Sequence, residues 1–92
     1  MKLTNYQRKE LADKVTEFYA KKIGGEVGYF ITPNERKNLS AFAMRLINLR
    51  DNTFSVDYVR AVYLRQMKNS NAMMCLCANL ICRDILNCDI VL

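Results

Sequence analysis

The stretch AMMCLCANLICRDILN, residues 72–87, decides what kind of fold this chain adopts. Wound as a helix at about 100° per residue, it is apolar on most sides. It leaves one polar seam, Asn79, Arg83 and Asn87, spaced by fours. A helix that is apolar nearly all round belongs inside a protein, with other elements packed about it. The same run is too short, and too interrupted by Asn79, Arg83 and Asp84, to span a bilayer. The expectation is a central helix of a mainly α bundle, with the seam alone reaching water or a partner.

Working outward, three more helices are predicted. Thr4-Asn5-Tyr6-Gln7 has the form of a capping box, in which the threonine oxygen meets an orphan amide and the glutamine reaches back. Leu11, Val15, Phe18, Tyr19 and Ile23 mark the buried side of the helix that follows. Glu10 with Lys14 and Glu17 with Lys21 supply ion pairs on the other. Gly24-Gly25 reads as its end. Glu26 to Ile31 changes period, Val27, Tyr29 and Ile31 alternating with Gly28 and Phe30 as in a short strand.

Thr32-Pro33-Asn34-Glu35 opens the second helix with a threonine cap, a first-turn proline and a box glutamate. Its buried face is Leu39, Phe42, Ala43, Leu46 and Ile47, and Asp51-Asn52-Thr53 breaks it. Ser55 caps a third helix, with Asp57 in its first turn and Val56, Val59, Val62, Tyr63 and Met67 on the core side. Asn69-Ser70-Asn71 is the second break, and Asp89-Ile90-Val91-Leu92 is a candidate strand to pair with Val27 to Ile31. The fold class is thus mainly α, a compact bundle of about four helices with a short strand after the first. An α+β arrangement is the alternative if the two strands pair. With 92 residues and no linker, repeat or low-complexity run, residues 1–92 form one small domain.

Charge is the second informative feature. From Arg36 to Arg83 the bases are Arg36, Lys37, Arg45, Arg50, Arg60, Arg65, Lys68 and Arg83, opposed by Asp51 and Asp57; upstream the signs nearly cancel. The net charge is +5, and a hydrophobic share of 51% with 25% charged residues is that of a globular protein. Arginine predominates in this stretch and carboxylate mates are scarce, which suits bidentate contact with phosphate or carboxylate.

Chemistry beyond binding finds little footing. The chain has no histidine to activate a cysteine nucleophile. Glu10, Asp13 and Glu17 sit among lysines on a solvated helix face rather than in a site that pushes two pKa values apart. Gly24-Gly25-Glu26-Val27-Gly28 follows a helix and lacks the Gly-Lys-Ser/Thr ending of a phosphate loop. On a helix Cys75 and Cys82 share one face and Cys77 with Cys88 a roughly opposite one, so the four cannot converge on one metal. They read as small buried hydrophobes. No enzyme, cofactor or metal is expected. The start Met-Lys-Leu-Thr-Asn leads straight into a polar helix rather than a signal region, so a cytoplasmic protein, in the host cytoplasm if viral, is the expectation.

Two resemblances bear on function. Leu39 to Leu49, then Arg50-Asp51-Asn52-Thr53-Phe54, then Ser55 to Met67 resembles a helix-turn-helix, although the customary turn glycine is absent and the connection is longer. It implies a DNA-binding regulator with Tyr58, Arg60 and Arg65 near bases or phosphates. In overall profile (short, single-domain, skewed in charge, free of catalytic motifs) the chain resembles small phage-encoded accessory proteins, including the anti-CRISPR inhibitors. That resemblance implies a non-enzymatic protein that docks on a nucleic-acid-handling complex, or on its bound RNA or DNA, and blocks target access. Many such inhibitors are acidic nucleic-acid mimics, and this basic chain departs from them. Arg45, Arg50, Arg60, Arg65, Lys68 and Arg83 are then the contact residues, with Tyr29 and Tyr58 as anchors, while Phe30 and Tyr63 go to the core. A third reading is a structural protein that oligomerises through its apolar fourth helix.

Overall fold

The structure, a computed structural model, describes residues 2–52 and 55–87. Four helices occupy these residues: α1 (Asn5–Val27), α2 (Pro33–Asp51), α3 (Val56–Gln66) and α4 (Ala72–Leu86). Helices α1, α2 and α4 pack against one another, and the shorter α3 leans on α2. The expected strand at residues 26–31 is not formed, and no strand occurs among the described residues. The candidate strand at residues 89–92 lies outside them. The chain is a mainly α bundle measuring 37 × 28 × 20 Å.

Local sequence sets most helix ends. Thr4 and Thr32 each accept the backbone N–H three residues on, and Gln7 and Glu35 each return a bond to the threonine N–H, so both capping boxes are complete. Asn71 caps α4 through the Met74 N–H at 2.9 Å. Ser55 has extended cap geometry but makes no side-chain cap bond, so α3 starts without the help expected of it.

The first helix ends later than the glycine pair implies. It runs through Gly24-Gly25 to Val27, and Gly28 takes the left-handed position at φ 79°, its N–H bonding the Gly24 carbonyl at 3.2 Å. Three glycines within five residues offer several stopping points, and the helix uses the last. The alternation that reads as a strand comes from a loop. Ile31 is buried, Tyr29 is half-buried, and Phe30 lies over Gly24 with 80% exposure, not in the core as expected.

Helix α4 is heavily buried but is not the expected hub: α2 packs against all three other helices, and α4 exposes Leu76 outside its polar seam. Met74, Cys77, Ala78, Ile81, Cys82, Ile85 and Leu86 are all buried, and burial pushes the Cys77 thiol up to about 11. Cys75 is half-buried, and Cys88 lies outside the described residues. The polar seam divides: Arg83 and Asn87 are exposed, whereas Asn79 turns inward and donates to the Tyr63 hydroxyl at 3.2 Å. From α2, Leu39, Phe42, Ala43, Leu46 and Ile47 all enter the core as the spacing predicts.

Helix α1 departs from its expected face. Ala12, Thr16, Ala20 and Ile23 are its buried residues; Leu11, Val15 and Tyr19 pack at the edge, and Phe18 is exposed. Small side chains spaced by fours let α1 come close to its neighbours, and the larger ones flank that contact. On α3, Val59, Val62 and Tyr63 are buried, as is Met67 at its C-cap, but Val56 is not.

The two glycines separate the two possible ends of α1. Gly25→Ala, in open space within the helix, should stabilise by about 1 kcal/mol. Gly28→Ala, forced to a left-handed φ, should destabilise by about 1 kcal/mol. Urea denaturation of both variants measures this, and the reverse order would place the helix end at Gly24-Gly25.

Candidate partner-binding surface

The end of α2 and the length of α3 present two stripes to each other. Arg45, Asn48, Leu49 and Asn52 recur at helical spacing on the first, and Tyr58, Val62 and Arg65 on the second. Between them lies a hollow of about 400 Å³. Leu49 and Val62 form its apolar part, Tyr58 is 57% exposed, and both arginines reach solvent. The asparagine oxygens face cations: Arg8 donates to Asn48 Oδ1 at 2.9 Å and Lys2 to Asn52 Oδ1 at 3.0 Å. The Asn52 amide in turn donates to the Asn48 carbonyl at 2.8 Å.

A second hollow, of about 540 Å³, opens between α3 and α4, lined by Tyr63, Leu64, Arg65, Met67, Lys68 and Cys75. Arg65 belongs to both, so it stands on the ridge between them.

Electrostatics sets this face apart from α1. There, Lys9 pairs with Asp13, Lys14 with Glu10, and Lys21 and Arg36 with Glu17. Among the described residues no carboxylate lies within ion-pairing distance of Arg45, Arg65 or Lys68. Asp51, the carboxylate at the end of α2, is engaged elsewhere. It accepts the Leu3 N–H at 3.2 Å and pairs with Arg8 at 3.3 Å and Arg50 at 3.7 Å, with its side chain 6% exposed. The Leu3 amide first, then the two guanidiniums, hold its carboxyl below the usual carboxylate range.

Of the eight residues singled out by sequence, Arg45, Tyr58, Arg65 and Lys68 meet on these adjoining hollows. Arg50 pairs with Asp51 at the end of α2. Arg60 pairs at 3.5 Å with Asp57 on its own helix. Arg83 belongs to the α1–α4 side, where it and Asp84 both act on the Tyr19 phenol; burial first, then Asp84, raise that phenol, and Arg83 opposes them. Tyr29 serves as a tie between loop and helices, donating to Glu35 at 2.8 Å and accepting from Asn71 at 2.7 Å. The six arginine and lysine positions therefore do not form one patch.

Sequence reasoning missed Leu64, Asn48, Asn52, Lys2 and Arg8. Leu64 carried a signal: it is a leucine outside the core stripe of α3, and it is 52% exposed. Lys2 and Arg8 lie some 40 residues or more from the amides they meet, and no local pattern joins them. Among the described residues no group of three acidic or cysteine side chains is placed to hold a metal ion, and no helix is long and apolar enough to cross a membrane. Comparison with family models, with characterised proteins and with solved structures returned no match.

The depressed carboxyls make stability depend on pH with a definite sign. Glu35 is lowered like Asp51, chiefly by the Thr32 N–H that it accepts. A carboxyl with a depressed folded-state pKa contributes fully above its unfolded value, about 4, and the contribution is lost as pH falls through the folded value. Urea midpoints should therefore fall on acidification below that value. Asp51→Asn should lower the midpoint at neutral pH and weaken its acid dependence; an unchanged acid slope would remove Asp51 as a contributor.

Proposed function

We propose that this chain is a non-enzymatic inhibitor of the anti-CRISPR type, docking through its α2–α3 face on a nucleic-acid-handling complex and blocking access to the target. The observation that carries this reading is the convergence of Arg45, Tyr58 and Arg65 on one hollow without a carboxylate mate among the described residues. Exposed guanidiniums beside a half-exposed ring and apolar side chains are the make-up of interface anchors. Their target is anionic, either an acidic protein surface or nucleic acid held by the complex.

The rival reading, a regulator that inserts α3 into the major groove, receives less support from α3 itself. Its exposed positions include Asp57, Ala61 and Leu64. Asp57 is 92% exposed and would meet phosphate with like charge. Arg60, one of the three residues expected near bases or phosphates, is paired to that aspartate.

Affinity capture from a bacterial lysate, with and without nuclease, tests the proposal. The wild-type chain should retain a complex after nuclease treatment, and Arg45→Glu with Arg65→Glu should weaken capture by about tenfold or more, roughly 1.4 kcal/mol. Tight binding to bare duplex DNA, falling steeply with salt, would establish the regulator instead.

A further inference from the structure

We infer that the docking surface accepts an acidic amphipathic helix of a partner protein, its apolar side chains entering the α3–α4 hollow and its carboxylates meeting Arg65 and Lys68. This rests on the docking reading above and extends that surface from the α2–α3 face across Arg65, which both hollows share, to the α3–α4 side.

The hollow has the two parts that such a segment requires. Its interior is aliphatic and sulfur-rich, with Leu64, Met67 and Cys75 around the buried Tyr63 ring. Leu64 lines the hollow with 52% of its surface exposed, an apolar group that water covers at a cost. At the border stand Arg65 and Lys68, and neither has a carboxylate mate among the described residues. Arg65 follows Leu64 near the end of α3, and Lys68 lies in the turn just after that helix, so both cations border the apolar anchor. A helix with an apolar stripe flanked by glutamate or aspartate is the complement in both respects.

Single-stranded nucleic acid fits this hollow less well. Bases bind such channels by stacking on exposed aromatic faces, and the ring that lines this one, Tyr63, is fully buried with its hydroxyl committed to Cys75 and Asn79. The exposed Tyr58 ring belongs to the neighbouring hollow.

Fluorescence anisotropy with three labelled probes decides the matter. They are a synthetic Glu/Leu helix-forming peptide with leucines at i, i+3, i+4 and i+7, its scramble, and a single-stranded oligoribonucleotide. The patterned peptide should bind about tenfold tighter than the scramble or more. Leu64→Gln, Arg65→Glu and Lys68→Glu should each weaken it by about tenfold, one factor of ten being a resolvable difference, with unchanged helical circular dichroism. Equal binding of the scramble would reduce the contact to charge and overturn the role of the hollow. Binding of the oligoribonucleotide but not the peptide would overturn the proposal while leaving a basic docking face. Self-association abolished by Leu64→Gln would assign the hollow to a second copy and overturn it as well. Failure of every probe, with a complex still captured after nuclease, sinks this inference alone; failure of both sinks the docking reading with it.

Discussion

One side chain, Tyr63, ties α3 to the rest of the bundle. Its ring meets Phe42 of α2 edge-on, with centroids 5.8 Å apart. Its hydroxyl donates to the Cys75 carbonyl at 3.1 Å and accepts from Asn79 at 3.2 Å, both on α4. Burial pushes the phenol upward, so it stays protonated and the donor role persists. An aromatic side chain taken wholly out of water contributes about 1.5–3 kcal/mol, and a buried hydroxyl left unpaired would cost about 1–3 kcal/mol. Both hollows of the candidate surface are gaps between α3 and its neighbours, so their shapes follow from where Tyr63 seats α3.

Charge is arranged around that framework in two ways. On α1 the acids and bases answer each other, and exposed pairs of this kind contribute only about 0.3–0.5 kcal/mol each. Their main effect is to neutralise that face. Asp51 does more, drawing the Leu3 amide, Arg8 and Arg50 to the end of α2. These acidic groups are engaged in ties, and among the described residues no carboxylate lies within ion-pairing distance of Arg45, Arg65 or Lys68.

Much of the fold was legible in the sequence because its information is local. In α2 a threonine cap, a first-turn proline and a clean apolar stripe agree, and each of the five expected core residues is buried. In α1 the stripe misled, since close approach is made by Ala12, Thr16 and Ala20, which hydrophobicity ranks below Phe18. The loop at residues 28–32 imitated a strand because one residue facing in and the next facing out has the same period. The candidate surface was legible by residue type and not by position. That Arg45 meets Tyr58 and Arg65 depends on how α2 crosses α3, and that Arg83 does not join them depends on which face α4 turns toward α1.

The uncapped start of α3 carries a further consequence. The complete boxes at Thr4 and Thr32 specify the beginnings of α1 and α2 from neighbouring residues alone. Helix α3 has 11 residues and no side-chain cap bond, and a helix of under about 12 residues is not stable in isolation. Its helicity is therefore borrowed from its docking on α2 and α4. Any ligand that grips α3 in its seated form draws on the same equilibrium, so the order of this corner and the affinity for such a ligand are linked: each rises with the other.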